Sequence, residues 1–479
     1  MKIYLNNNSF YYEIEKLAKA FFPNTRFEEK HDCDEYEAPF ICVTVGEDAK
    51  EVSVAVRTDD FEKTASKALK DGSDTELEAA ILLYDILAEC TGVSQPWGLL
   101  TGVRPIKLFR KLKEEMGEEA AKAHFMNVFR VSREKTELAA ETERREAGVL
   151  KLTTPQSFSL YIAIPFCPSR CSYCSFVTAS TARTKHLIEP YTQLLCRELE
   201  HTAQITDRLG LHLESVYMGG GTPTTLNADQ MSRVLETVRR NFDMSGCREF
   251  TVEAGRPDTI TEDKLISMKN AGVDRISINP QTLDDRVLEI IGRHHTANDV
   301  YESYRLAREL GFDHINTDLI VGLPGDTVGG FKDTIEKIAS LSPESVTVHT
   351  LAMKRASTLT QDGKQLDKRE AEDAAKMIGL GNEILYKNGY KPYYLYRQSR
   401  MVGNLENTGW SKEGREGYYN VFIMDESQSI IACGAGAVTK LVLGEGKLER
   451  IFNYKYPYEY INGFDEVLKR REGIERLYD

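Results

Sequence analysis

The residues with the most chemical potential are the three cysteines of CPSRCSYC, Cys167, Cys171 and Cys174, grouped within eight positions. Thiolates are soft ligands, and three on one short loop can converge on a single soft metal centre and leave a coordination position open. A structural zinc site is the competing reading, but such sites pair two Cys or His hooks, and the sequence offers no second hook. Downstream, the run Gly219-Gly220-Gly221-Thr222-Pro223 is a turn in which bare backbone can approach a ligand closely. Single polar residues then enter apolar runs: Glu253 in FTVEAGRPD, Gln281 in ISINPQTLDDRVLEIIGRHH and Asp318 in INTDLIVGLPGDT. Each can hydrogen-bond a ligand or satisfy an interior neighbour. Arg293 is ordinarily a solvated helix charge, and the His294–His295 pair beside it reads as a helix-terminal feature rather than a ligand set.

These residues need elements that bring them to one place. From about residue 158 to 352, β-branched and aromatic runs alternate with amphipathic windows, which predicts a parallel α/β domain. Six strands are expected, ending at Ile164, Gly219, Ala254, Asn279, Val321 and Leu351, and the chemistry-bearing residues fall at or near their C-terminal ends. That is where β/α barrels place their active sites. The intervening helices show apolar residues at helical spacing, as in Leu187, Tyr191, Leu194, Leu195 and Leu199. Six β/α units predict a partial barrel, since two more strands for a closed barrel are not found nearby. The expected division is an N-terminal α+β domain over 1–150, a partial TIM-like (β/α)6 barrel over 151–360, and a small C-terminal α/β domain over 361–479. In the last, KPYYLYRQ and SIIACGAGAV read as strands, with the Tyr393, Tyr394 and Tyr396 stretch as core packing.

A chain of 479 residues has room for two to four domains and a sizeable core. Its 61 basic against 74 acidic residues leave a formal charge of −13, which opposes non-specific binding to nucleic acid or an anionic membrane. The apolar stretch AAILLYDILA is too short to span a bilayer, and the N-terminus has no secretory or transit pattern, so a cytoplasmic protein is expected. In that compartment cysteines stay reduced, and the six isolated ones read as small buried hydrophobes.

The cysteine spacing, with the aromatic Tyr173 before the last thiol, resembles the radical S-adenosylmethionine (SAM) superfamily. The resemblance implies a 4Fe-4S cluster held by Cys167, Cys171 and Cys174, with the fourth iron chelated by the amine and carboxylate of SAM. One-electron reduction then releases a 5′-deoxyadenosyl radical that abstracts hydrogen from substrate. The segments YIAIPFCPSRCSYCSF, MGGGTPTTL, ISINPQTLDDRVLEIIGRHH and DLIVGLPGDT narrow the resemblance to the oxygen-independent coproporphyrinogen III oxidase (coproporphyrinogen dehydrogenase) family. Carried over position by position, it implies that Tyr161, Tyr173, Gly220, Gly221, Thr222, Glu253, Gln281, Arg293, Asp318 and Ala352 contact SAM. The implied activity is oxidative decarboxylation of coproporphyrinogen III to protoporphyrinogen IX in anaerobic haem synthesis. It brings with it a tetrapyrrole substrate and a low-potential electron donor, without nucleic acid or membrane, and a monomer is the working expectation.

The chain departs from both well-marked branches of that family. The decarboxylating branch carries a fourth cysteine where this chain has Phe176, and the haem-chaperone branch carries a His-Asn motif where residues 403–410 read GNLENTGW. The N-terminal extension with QPWGLLTGVRPIKLF is similar to a third, longer branch of Firmicute type. The competing readings are therefore a haem-binding chaperone without decarboxylase activity and a radical enzyme with another substrate. Four substrate propionates would need local cations. Arg104 and Lys107, Lys354 and Arg355, and Arg397 and Arg400 are the candidates, each also readable as an ordinary surface charge.

Overall fold

The computed structural model describes every residue other than 34, 177, 355, 362–364, 366, 444–446 and 479. The chain divides into two compact units. The first comprises Met1–Glu141, Lys364–Ala375 and Tyr396–Glu406, and the second comprises Thr142–Gly363, Lys376–Leu395 and Asn407–Asp479.

The first unit is built on a five-stranded sheet in the order Glu28–His31, Lys2–Asn6, Phe40–Val45, Glu51–Arg57, Glu62–Ala68. EVSVAVR alternates buried and open positions, as a strand with one covered face should. The helices Tyr11–Phe21 and Thr75–Thr91 supply Ile14, Leu17, Leu83 and Leu87 to the core beneath that face. Asp74 caps the second helix by accepting from Leu77 N at 3.1 Å. Elsewhere in this unit Glu406 is buried between Lys135 Nζ at 2.7 Å and Trp97 Nε1 at 2.8 Å, so its charge is paired and both oxygens are satisfied.

The second unit carries the six expected parallel strands, Ser157–Ile164, His212–Gly220, Glu249–Gly255, Arg275–Ile278, Ile315–Val321 and Ser345–Thr350, as sequential neighbours. Their continuous burial reflects helices on the outer face and a packed lumen on the inner one. The connecting helices start at chemically encoded points. Asn227 and Gln230 form a capping box at Ala228–Asn241, and Thr296 and Asp299 form another at Ala297–Glu309.

An open six-stranded barrel leaves two unpaired edges, and the C-terminal part of the chain covers both. Asn407–Ser411 pairs antiparallel with the sixth strand, and Ser429–Cys433 pairs parallel with the first, extended by the hairpin Val438–Val442 and Leu448–Phe452. Together with Lys391–Tyr396 these make a single eleven-stranded sheet. Where a separate domain over 361–479 is expected from sequence, residues 407–479 lie in the barrel's own compact unit, because exposed strand edges seek pairing. Among the described residues no helix is long and apolar enough to cross a membrane.

Candidate active site

The first strand runs directly into the cysteine loop, which then returns through a two-residue ladder between Phe166–Cys167 and Ala179–Ser180. The loop is fastened by segments that follow the third, fourth and sixth strands. Ser172 N donates to Ile291 O at 3.0 Å, Ser169 Oγ donates to Gly292 O at 3.0 Å, and Leu359 N donates to Ser172 O at 3.1 Å. Arg256, buried after the third strand, grips Asp258 through two 3.0 Å hydrogen bonds and spends Nη1 on Ser169 Oγ at 2.8 Å. That pairing holds the Asp258 carboxyl below its ordinary value although burial works the other way.

The three thiols share this loop, with Cys171 and Cys174 joined by a turn from Cys174 N to Cys171 O at 3.1 Å. Burial raises the Cys167 thiol and pushes Cys174 up to about 11, and Cys171 adds to both. Among the described residues no group of three His, Cys, Asp or Glu side chains is already closed around a common centre. Thr222 Oγ1 donates to Cys167 Sγ at 3.4 Å, tying the second strand's glycine turn to the first thiol. Gly221 permits that approach, since a Cβ there would stand 2.5 Å from Phe166 O and 2.8 Å from Ile164 O. Gly220 has φ +106° and passes close to the Tyr161 hydroxyl.

The remaining expected residues lie within or after successive strands, with Arg293 in the turn that follows the helix Asp285–Ile290. Arg293 is buried, with Nη1 donating to Asn279 O at 2.8 Å and Nη2 to the Tyr173 hydroxyl at 3.2 Å, while Nε has no partner. Gln281 adopts a left-handed φ of +73°, and its N–H donates to Asp318 O at 3.0 Å. Its buried Oε1 is unsatisfied. Glu253 accepts from the Tyr217 hydroxyl at 2.6 Å. Burial pushes the Glu253 carboxyl up to about 7, against the hydrogen bond from Tyr217. Asp318 is also desolvated, yet hydrogen bonds and the charge of His349, 3.8 Å away, hold it below its ordinary value, with Asn316 Nδ2 donating at 2.8 Å. Ala352 follows the sixth strand and accepts from Lys354 N at 3.0 Å.

Three soft donors, a glycine cradle that any Cβ would fill, and orphaned polar atoms on Gln281 and Arg293 suit an iron–sulfur cluster with a polar nucleoside cofactor beside it. The structure thus brings Cys167 to Thr222, Tyr173 to Arg293, Tyr161 to Gly220 and Gln281 to Asp318. The substrate cations are not gathered in this way. Arg397 lies in the first unit, 3% exposed, and its Nη groups donate to Leu100 O, Asn404 O and Asn404 Oδ1, so it is an interior crosslink rather than a surface charge. Burial pushes its guanidinium down to about 10. Arg104 belongs to the same unit, at the N-cap of Pro105–Met116. Lys354 is half-buried in the barrel unit, and that burial lowers its pKa. Arg355 lies outside the described residues.

Sequence reading missed four contributors: Tyr217, Arg256, His349 and Tyr419. Tyr217 shares its strand face with Gly219, so a polar aromatic two residues before the glycines was a usable signal. Arg256 followed Glu253 too closely to stand out, and Tyr419 carries no local signature. His295 is buried, and burial together with Arg293 pushes it down to about 4, which keeps it neutral. Of the isolated cysteines, Cys42, Cys196 and Cys433 are buried and Cys33, Cys90 and Cys247 are partly so.

Comparison with known proteins gives this arrangement its context. The radical SAM superfamily model matches residues 161–338. The oxygen-independent coproporphyrinogen-III oxidase-like protein HemZ of Bacillus subtilis is 38% identical over 444 residues, covering 90% of this chain and 88% of the relative. Heme chaperone HemW of the same organism is 33% identical over 271 residues, covering 54% of this chain and 69% of that one. Coproporphyrinogen III oxidase HemN of Escherichia coli superposes with a TM-score of 0.54 at 24% identity, over 67% of this chain and 73% of its own, which establishes the shared fold. The three-cysteine loop at the first strand's exit, the glycine turn at the second and a likeness extending over nine-tenths of the sequence place the chain in the radical SAM superfamily, whose cofactors are a 4Fe-4S cluster and SAM, and within it in the oxygen-independent coproporphyrinogen III oxidase-like family.

Proposed function

We propose that the protein catalyses the oxygen-independent oxidative decarboxylation of coproporphyrinogen III to protoporphyrinogen IX. The observation that carries this reading is the extent of the likeness to the HemZ relative, which includes the first unit, whereas the likeness to HemW covers about half the chain. Bound at the strand ends, the cluster and SAM supply hydrogen-atom abstraction. Each reacting propionate gives up one β-hydrogen, loses CO2 and passes one electron to an acceptor, leaving a vinyl group.

The chain's own residues position and insulate that chemistry. Cys167, Cys171 and Cys174 would hold the cluster, with Arg256 and the Ile291–Gly292 carbonyls fixing the loop that presents them. Arg293 and Tyr173 would set the cofactor's amino-acid end, while Glu253, Gln281 and Asp318 would receive its nucleoside. The stacked rings of Tyr161, Tyr217 and Tyr419 would give the nucleoside end an aromatic wall beside Glu253. Lys354, half-buried just past the sixth strand, would be a cation of the barrel unit that meets a propionate.

One observation favours the second reading, haem transfer without decarboxylation: Phe176, in place of a fourth cysteine, is 68% exposed beside the loop. Against it, Trp410 of GNLENTGW is fully buried in the strand Asn407–Ser411, so that segment serves as core. Anaerobic incubation of the reconstituted protein with coproporphyrinogen III, SAM and reductant, followed by product mass spectrometry, separates the two. Vinyl products support decarboxylation. Stoichiometric haem uptake without substrate consumption would replace it with the chaperone reading.

A further inference from the structure

Three tyrosines from distant parts of the sequence stack inside the barrel. Tyr161 of the first strand, Tyr217 of the second and Tyr419 of the helix Tyr418–Asp425 lie at interplanar angles of 17° to 20°. The Tyr217 and Tyr419 centroids are 4.4 Å apart, and Tyr161 lies 6.3 Å and 6.1 Å from them. The stack fixes the Tyr217 ring from one side, and the neighbouring Gly219 leaves room for the Glu253 carboxyl, which a Cβ would meet at 3.0 Å. The Tyr217 hydroxyl donates to Glu253 Oε1 at 2.6 Å, and among the described residues Oε2 has no hydrogen-bond partner.

We propose that Tyr217 is a positioning residue for the nucleoside, its hydroxyl holding Glu253 ionised so that Oε2 accepts from the ribose. The inference rests on the reading that Glu253 meets the cofactor's nucleoside. Every element around this carboxyl bears on its charge. Asp318 on the fifth strand opposes ionisation, while His349 on the sixth and Arg275 on the fourth favour it. Tyr161 and Tyr419 face it as neutral phenols whose own ionisation burial strongly disfavours. Against burial, which pushes Glu253 up to about 7, the Tyr217 hydrogen bond acts in the opposite direction. A protonated carboxyl loses acceptor capacity toward ribose hydroxyls, so binding should strengthen as pH rises through that range.

The test is equilibrium dialysis of 5′-deoxyadenosine against the cluster-reconstituted protein. This ligand has no group that titrates between about pH 5.5 and 9, so any dependence belongs to the protein. The wild-type protein should bind more tightly as pH rises, with a midpoint at about 7. Tyr217→Phe keeps the ring and its stack, and should raise the midpoint by about one unit and weaken binding at pH 7 about fivefold. Replacing Tyr217 with 3-fluorotyrosine, a stronger donor of nearly the same shape, should lower the midpoint. This second variant decides the matter even if Tyr217→Phe proves unstable. Glu253→Gln should flatten the profile. Unmoved midpoints in both tyrosine variants, with a flat Glu253→Gln profile, would overturn the role of Tyr217. An unchanged profile in Glu253→Gln would instead overturn the nucleoside reading of Glu253 on which it stands.

Discussion

Arg293 bridges the cysteine loop and the fourth strand: its Nη2 donates to the Tyr173 hydroxyl at 3.2 Å while its Nη1 donates to Asn279 O at 2.8 Å. Tyr173 sits between Cys171 and Cys174 in sequence, so one guanidinium fixes the thiols' loop to the strand end that leads to Gln281. Its charge is retained although burial opposes it, because a guanidinium holds its proton throughout the accessible pH range.

Arg293→Met should therefore separate cluster from cofactor. The thiols remain, and iron and sulfide content should stay near that of the unaltered protein. SAM affinity should fall at least tenfold, the order expected for losing a charge-assisted hydrogen bond worth about 1.5–3 kcal/mol. Arg293→Lys restores charge without the fork and should recover only part of the affinity. Equilibrium binding with parallel iron analysis decides it, and unchanged affinity in Arg293→Met would remove Arg293 from the cofactor site.

A second prediction concerns how the C-terminal edge is held. Glu198, on the helix that follows the cysteines, pairs with Arg471 at 3.1 Å, both side chains being fully buried. The same carboxylate accepts from Tyr460 at 2.8 Å, Asn453 at 2.9 Å and Gly434 N at 2.8 Å. Arg471→Met would leave this charge without its cation and should cost about 3–5 kcal/mol, read as a lower urea midpoint at unchanged slope. The double variant Glu198→Gln/Arg471→Met should be less destabilised than the single one. If the single variant unfolds like the unaltered protein, the buried pair is not what anchors this edge.

The third prediction follows from His295. Its folded value of about 4 lies below the ordinary 6.5, so the unfolded chain takes up a proton first as the solution is acidified. Its contribution is fully present above pH 6.5 and is lost as pH falls toward 4, on the order of 3 kcal/mol in total. His295→Gln should flatten that part of the stability profile. Chemical denaturation at a series of pH values provides the check, and parallel profiles for the two proteins would show that His295 is not the group involved.

Much of the barrel was legible in the sequence because its strands are buried on both faces and read as continuous apolar runs. The observed strand ends differ from the expected ones by at most one residue, as with Gly219 against Gly220 and Leu351 against Thr350. The thiols, glycine turn and lone polar residues were equally visible, since each breaks the local pattern at a strand end. Pairing partners were not visible. NTGWS carries no sign that it covers the sixth strand, nor SIIAC that it covers the first, because an edge is a property of the assembled sheet. Arg397 failed for a related reason: in YYLYRQSR it looks like a surface cation, and only the fold surrounds it with main-chain carbonyls. Tyr419 joins Tyr217 across some two hundred positions that no local periodicity links.

The most direct measurement of the central claim follows hydrogen rather than product alone. Coproporphyrinogen III deuterated at its propionate β-carbons, incubated anaerobically with reconstituted protein, SAM and a strong reductant, should deliver deuterium into 5′-deoxyadenosine as vinyl product appears, with Cys171→Ser giving neither. Cofactor cleavage that ignores the substrate, with no deuterium transferred and no vinyl group formed, would contradict the decarboxylase account.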